Sequence, residues 1–414
     1  MDKLLIITYD MIPYSNAWGN CQRMYYLGEY LNKKSDMEVH MIASKKNYID
    51  NFNKEINFKI EYFPSENNEK NKKSKKSITA RDLIKNIFKK FDKIYFNDPF
   101  PGMGLLGFLW YIKNKKNIIQ YIKKEKINKI IISGPPFSLY YLVNDIKKIN
   151  SNIKIILDFR DPWNTWNENK GIALYIEKKH LKKVDKIVVA TDNAKKEKIK
   201  KFGIGIDKID AIYNGYSEED WEKINSFEEN KIKTDKIVIS YLGNIDFKQG
   251  GFRDTTNFFK AYEKLEKEKE KYKIRFIGVN KTSLVLELIK KYSEIDFIGK
   301  IPPRDAMLEM KKSDILLNIH TLEDKSSELL IAGKFFDYLR SGKKIFSISS
   351  DKSIVSKLIR EKNLGIAVPN DEIDIYNAFK KILDFKNKEN NINEIELFSR
   401  EFQNRDYLKI IKKL

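Results

Sequence analysis

Short, nearly continuous apolar runs recur along the chain, each closed by a turn signal and followed by a segment of helical periodicity. KLLIIT (Lys3–Thr8), EVHMIAS ending at Ser44, KIIISG before Pro135, IKIILDF before Arg160 and DKIVVAT read as strands buried on both faces. Between them lie amphipathic stretches: Gln22–Asn32 with Met24, Leu27 and Leu31 on one face, then FSLYYLVNDIKK, Ile172–Lys182 and NAKKEKIKKFG. A Glu/Lys-rich segment, Ser217–Lys236, interrupts the alternation before KIVISYLGNI restarts it. YKIRFIGV, DFIGKIP, DILLNIH (Asp314–His320), KKIFSIS and LGIAVP follow, again separated by helical patterns. Strand, loop, helix, strand is the pattern of a parallel α/β sheet, and one interruption predicts two such units. Their expected extents are residues 1–212 and 213–394, with a terminal helix over 395–414.

Composition narrows the function classes. At 414 residues, with 42% apolar and 13% aromatic side chains, the chain has material for two packed cores. No apolar run approaches the ~20 residues of a spanning helix, and MDKLLIITYD does not read as a secretory leader, so a cytoplasmic protein is expected. The single cysteine, Cys21, excludes an internal disulfide framework, and with three scattered histidines a Cys/His zinc site is not expected. A net charge of +21 favours polyanions or phosphorylated ligands. Without a basic stripe interleaved with aromatics on a known RNA module, nucleic acid is not expected as a partner. ENNEKNKKSKKS reads as a solvated loop, and the basic amphipathic stretch Thr79–Tyr95 after it suits either packing on its own unit or an anionic inner-membrane surface. PFPGMGLLGFLWYIK (Pro99–Lys113) is apolar enough to be buried.

Candidate chemistry gathers at the strand ends. After DILLNIH, the helix predicted over Gly333–Arg340 carries Lys334 in its first turn and Asp337 one turn on. A cation for phosphate and a carboxylate for a ribose diol, beside a helix N-terminus, is what a nucleotide requires. His320 ends the preceding strand and is a lesser candidate, whereas His40 and His180 occupy strand and helix positions that suit a structural role. The loop after the first strand supplies Ser15, Gly19 and Asn20 near a helix start but no full G-x-G-x-x-G. DFRDPW delivers Asp158, Arg160, Asp161 and Trp163 to a strand end.

Taken together, SGPPFS (Ser133–Ser138), DFRDPW (Asp158–Trp163), IYNGY (Ile212–Tyr216), YLGNI, FIGKIP and GKFFDYLRSGKKIF resemble bacterial glycosyltransferases of family four. FSREFQNRDYLKIIKKL looks like that family's last helix, which returns to the N-terminal domain. The resemblance implies a GT-B fold: two Rossmann-like, doubly wound α/β domains facing a central cleft. It implies a nucleotide sugar held by the second domain, a glycan or lipid-linked acceptor held by the first, and retaining transfer with no metal or other cofactor. Carried residue by residue, it assigns Asp337 to the ribose hydroxyls, where the family prefers Glu. It assigns Lys248 and Arg253, with Gly243 and Asn244, to the diphosphate. The family's second glutamate would fall at Leu329, and Glu328 stands beside it. Backbone groups near Ile301 would read the base of a UDP- or GDP-sugar. Gly19 and Asn20 complete the donor set, Arg160 and Asp161 with Glu328 form the catalytic set, and Ser15 and Trp163 the acceptor set. Surface-polysaccharide synthesis is the expected setting. Two other readings stand beside it: a GT-B sugar-nucleotide epimerase, and a non-catalytic polyanion-binding scaffold.

Overall fold

The computed structural model describes the chain except for residues 1, 16–17, 49–53, 66–89, 101, 165–170, 228–231, 246–249, 281 and 324. It divides into two compact units, Met1–Asn214 with Arg400–Leu414, and Gly215–Ser399.

The first unit is built on a parallel sheet of β1 (Lys3–Ile7), β2 (Glu38–Lys45), β3 (Lys59–Pro64), β4 (Lys129–Gly134), β5 (Lys154–Phe159), β6 (Lys186–Val189) and β7 (Ile209–Ala211). They lie in the order β3-β2-β1-β4-β5-β6-β7. The chain leaves β1 toward one edge and β4 toward the other, so the switch point lies between these two strands. Every residue of β4 is buried, as expected for a strand covered by helices on both faces. Helix α1 (Trp18–Lys34) starts earlier than its apolar periodicity indicates and buries Met24, Leu27 and Leu31. That face shares a core with Leu4, Ile6, Val39 and Met41, and with Tyr407 and Ile411 of the terminal helix Arg400–Lys412.

Helix Met103–Lys124 departs from the expectation of burial. It sets Trp110, Ile118 and Ile122 inward but leaves Leu106, Leu109 and Ile112 exposed. Thr79–Lys89, the larger part of the predicted basic amphipathic stretch, lies outside the described residues, and Lys90–Tyr95 is helical.

The second unit repeats the plan with β8 (Ile237–Leu242), β9 (Tyr272–Ile277), β10 (Asp296–Ile298), β11 (Ile315–His320), β12 (Lys344–Ser349) and β13 (Gly365–Val368). All neighbours pair in parallel, in the order β10-β9-β8-β11-β12-β13, with the switch point between β8 and β11. Its core joins Ile239, Tyr241, Phe276, Leu317 and Phe346 of the sheet to Phe258 and Phe379 of the flanking helices. A helix at Glu218–Asn225, started by the Ser217 hydroxyl accepting from the Asp220 amide, forms inside the segment whose sequence reads only as a charged bridge. Its Trp221 and Ile224 are buried, and that burial fixes a helix whose other positions are nearly all charged.

Candidate functional site

In the second unit the chemistry collects where β8 ends. Gly243 follows the strand at φ +128°, a conformation costly for any residue with a side chain. Its amide donates to the Ile277 carbonyl at 2.7 Å, and a Cβ built on it would stand 3.6 Å from the Lys334 ammonium. Lys334 reaches this point from the first turn of the helix Gly333–Arg340 and donates to the Leu242 carbonyl at 2.8 Å. Its Nζ also sits 3.7 Å from the Tyr241 ring centre. Burial first, and the Arg253 charge second, hold the Lys334 pKa well below the ordinary lysine value. Arg253 donates to the Asn244 carbonyl at 3.2 Å, and the Asn244 side chain accepts from the Asn280 amide at 3.1 Å.

The loop bearing Arg253 is fastened to β11. The Thr321 hydroxyl donates to the Gly251 carbonyl at 2.7 Å and accepts from the Asp254 amide at 2.9 Å. His320 is buried beneath this loop with its ring 4.6 Å from that of Phe252, so it supports the loop rather than facing a ligand. Among the described residues, neither Lys334 nor Arg253 forms an ion pair. Two cations and a glycine backbone therefore converge at the switch point, beside a helix N-terminus that adds partial positive charge.

Asp337 lies one helical turn beyond Lys334, and its Oδ1 accepts from the Trp221 indole at 3.3 Å. Arg340 on the same helix pairs with Glu218, so helix Glu218–Asn225 braces the Asp337 helix at two points. Nothing in the sequence around Trp221 announces this partner. Glu328 ends a short turn, Lys325–Glu328, leading into the helix and is half-buried, while Leu329 is buried in the core. Leu329, where the resemblance would place the family's earlier glutamate, is thus closed to a ligand, and the neighbouring Glu328 keeps part of its surface exposed. Ile301 is half-buried in the link between β10 and helix Pro303–Lys311. Lys248 lies outside the described residues.

The carboxyl ends of β1, β4 and β5 in the first unit carry a different set. Asp10, after β1, accepts from the Ser15 hydroxyl at 3.3 Å and the Asn20 amide at 3.0 Å, and pairs with Lys46. Burial pushes the Asp10 carboxyl up, but Lys46, Arg160 and Asn20 together bring it below the usual carboxylate value. Ser15 is buried with its hydroxyl turned to Asp10, so it shapes this loop and is not presented to an acceptor. Gly19 is exposed in the first turn of α1, next to the half-buried Asn20.

Arg160 is likewise committed. Its guanidinium donates to the Asn20 carbonyl and, at 2.8 Å, to the Pro135 carbonyl, tying the loops after β1, β4 and β5 together. These two bonds give it a positioning role at the strand end where the sequence places it among the catalytic candidates. Asp161 stands 3.8 Å from the Arg160 Nε and keeps 19% of its side chain exposed. Burial raises its pKa despite the nearby Arg160 and Arg23. Trp163 corrects the expected acceptor platform: it is 2% exposed, stacked on Phe137 at 4.9 Å, with its indole bonded to the Phe96 carbonyl at 2.5 Å. Aromatic faces do occur nearer the surface. Tyr14 meets Tyr48 at 6.0 Å and Tyr62 at 4.7 Å, both edge to face, and Tyr48 is 65% exposed.

Beneath these loops lies a buried ion pair that the sequence does not reveal. Arg23 of α1 binds Asp158 of β5 through two nitrogens, at 2.7 and 3.0 Å from Oδ1, and also donates to the Ile212 carbonyl at 2.8 Å. Ser133 and Tyr407 donate to the same carboxylate at 2.9 and 3.3 Å. Asp158 is therefore a structural anchor. His40 and His180 are buried away from these strand ends, His40 bonded to Glu38 and Tyr121 at the amino-terminal part of β2. Among the described residues, Glu38, His40 and Glu125 are the one group with ligand atoms close enough for a metal, within 4.8 Å. Lys3 and Lys59 already pair with its two carboxylates.

No protein-family model matches the sequence, and no curated protein matches it at the sequence level. Solved structures do match in fold. A glycosyltransferase from Rickettsia africae superposes with a TM-score of 0.63 at 15% identity, covering 100% of this chain and 98% of that one. Trehalose-6-phosphate from E. coli, bound with UDP-2-fluoro glucose, gives 0.66 at 9% identity, covering 100% and 99%. UDP-GlcNAc 2-epimerase from Neisseria meningitidis, bound to UDP-GlcNAc, gives 0.58 at 11% identity over 100% of both chains. The fold is accordingly GT-B, with two Rossmann-like parallel α/β units. Among the described residues, no helix is long and apolar enough to cross a membrane.

Proposed function

We propose that the protein is a glycosyltransferase of the family-four type, moving a sugar from UDP- or GDP-sugar to a glycan or lipid-linked acceptor with retention and without a divalent ion. The observation that carries this reading is the pair of cations, Lys334 and Arg253, held without a carboxylate partner at the carboxyl end of β8. As the glycosidic bond breaks, the leaving diphosphate gains negative charge. Fixed ammonium and guanidinium groups beside a helix N-terminus stabilise that charge as a divalent ion would. Asp337, oriented by Trp221, would accept from the ribose diol, and Glu328 would approach the transferred sugar. In the first unit, Asp161 is a partly exposed carboxylate that could meet an acceptor hydroxyl, with Asn20 and Gly19 on the adjoining helix turn and Tyr48 offering an apolar ring face.

The likeness to a UDP-GlcNAc 2-epimerase supports a second reading, in which the same donor is isomerised. Calorimetric titration with UDP and GDP, with and without EDTA, is the first test: one nucleotide binds, and EDTA leaves its affinity unchanged. NMR of the products from the matching nucleotide sugar, with and without an oligosaccharide acceptor, then separates transfer from epimerisation. Activity abolished by EDTA and restored by manganese would refute the metal-free mechanism. If neither nucleotide binds, the non-catalytic polyanion-binding reading takes its place.

A further inference from the structure

We propose that the exposed side of helix Met103–Lys124, with the segment Lys90–Phe100 that precedes it, docks the first unit on an anionic lipid surface. Leu106, Leu109 and Ile112 recur at three-residue spacing on the solvent side of the helix. Phe91, Ile94 and Phe100 add to them, and all six side chains are between 37 and 50% exposed. The two elements pack side by side: the buried Phe96 ring touches Phe91 of the preceding segment at 6.1 Å and Phe108 of the helix at 5.2 Å. Asp92 fixes the junction by accepting from the Gly102 and Leu105 amides at 2.9 and 2.7 Å.

Among the described residues of these two elements, the exposed charge has one sign. Lys93, Lys113 and Lys116 are exposed among and beyond the apolar positions, and the helix Met103–Lys124 contains no Asp or Glu. The two acids of the preceding segment, Asp92 and Asp98, are buried, Asp98 accepting from the Phe137 amide. Over the whole chain, by comparison, 58 Asp and Glu accompany 79 Lys and Arg.

Aliphatic and aromatic side chains bordered by lysine suit the headgroup–acyl boundary of an anionic bilayer. Protein–protein interfaces, in contrast, are depleted in lysine. No helix among the described residues can span a bilayer, so the contact is a docking one. The inference stands apart from the nucleotide-sugar reading, since no donor-site residue takes part in it.

Co-sedimentation of the full chain with phosphatidylglycerol/phosphatidylcholine vesicles and with pure phosphatidylcholine vesicles tests it. The protein should pellet with the first, remain largely in the supernatant with the second, and be released as salt rises. Leu106→Glu/Leu109→Glu should lower vesicle affinity at least tenfold while circular dichroism and the melting midpoint stay near wild type. Leu106→Met/Leu109→Met should retain binding, which guards against a folding defect. Equal pelleting of the Glu variant and wild type would overturn the proposal, because the general +21 charge would then suffice. So would wild type that ignores every vesicle yet elutes as a dimer dependent on Leu106, which would make this face a contact between copies.

Discussion

The two sheets share one winding scheme, yet the carboxyl ends of their central strands are furnished oppositely. At the end of β8, Lys334 and Arg253 donate only to backbone carbonyls among the described residues, so neither is neutralised by a carboxylate. At the ends of β1 and β5, cations are spent on anchoring. Lys46 neutralises Asp10, Arg160 bridges two backbone carbonyls, and Arg23 is sealed against Asp158. What stays accessible there is the carboxylate of Asp161 and the ring of Tyr48. Topology decides where a ligand can approach such a sheet. Whether the local charges are already paired decides which ligand suits it: unpaired cations at the end of β8 favour an anion, and the paired set of the first unit does not.

Removing a committed cation should damage structure, and removing an available one should damage binding. Arg23→Met leaves the Asp158 carboxylate buried without its counter-charge and should cost about 3–5 kcal/mol in urea unfolding. A loss below about 1 kcal/mol would mean that Asp158 is readily neutralised and the anchor is weak. Lys334→Met should leave the unfolding midpoint close to wild type but weaken UDP or GDP binding by about 10- to 150-fold, the value of a charged hydrogen bond. If the unfolding midpoint drops and affinity holds, the contrast between the two strand ends is wrong.

A third test uses protons. Burial and Arg253 lower the Lys334 pKa, and a bound diphosphate would raise it again. Wherever the pH lies between the free and bound values, binding must take up a proton, so affinity falls as pH rises through that window. Calorimetry in buffers of different ionisation enthalpy should report this uptake in wild type and none in Lys334→Met. The smallest expected effect is that of Asp161→Asn, about tenfold in kcat/KM for an acceptor whose hydroxyl loses one hydrogen bond. Because burial raises the Asp161 pKa, wild-type activity should fall on the acid side at a pH above the usual carboxylate range. The Asn variant should lose that limb, and an unchanged pH profile would remove Asp161 from the acceptor side.

Sheet and helix order were legible because strands buried on both faces must be written as apolar runs. KLLIIT yields Lys3–Ile7, and GKFFDYLR yields the helix Gly333–Arg340 at the residues its pattern indicates. Lys334 could be located for the same reason, since strand, loop and helix phase fix its side of the sheet. What escaped depends on partners remote in sequence. Trp163 looks like an exposed aromatic after a strand end, and only Phe137, brought beside it by the turn after β4, makes it core. Arg23 reads as one more basic residue on a helix until Asp158, on another strand, meets it. The helix of Trp221 was hidden because two buried residues among acids and lysines carry almost no periodic signal.

The anchoring of Asp158 by Tyr407 has a consequence for synthesis on the ribosome. The first unit is assembled from the opening half of the polypeptide and its closing fifteen or so residues, with residues 215–399 emerging in between. Its early portion must wait, with the α1 face uncovered, while the intervening unit is made and becomes able to fold on its own. Any engineered fragment that stops at Asn214 will therefore present an apolar groove where Tyr407 and Ile411 belong. Supplying Arg400–Leu414 as a separate peptide is the direct way to close it.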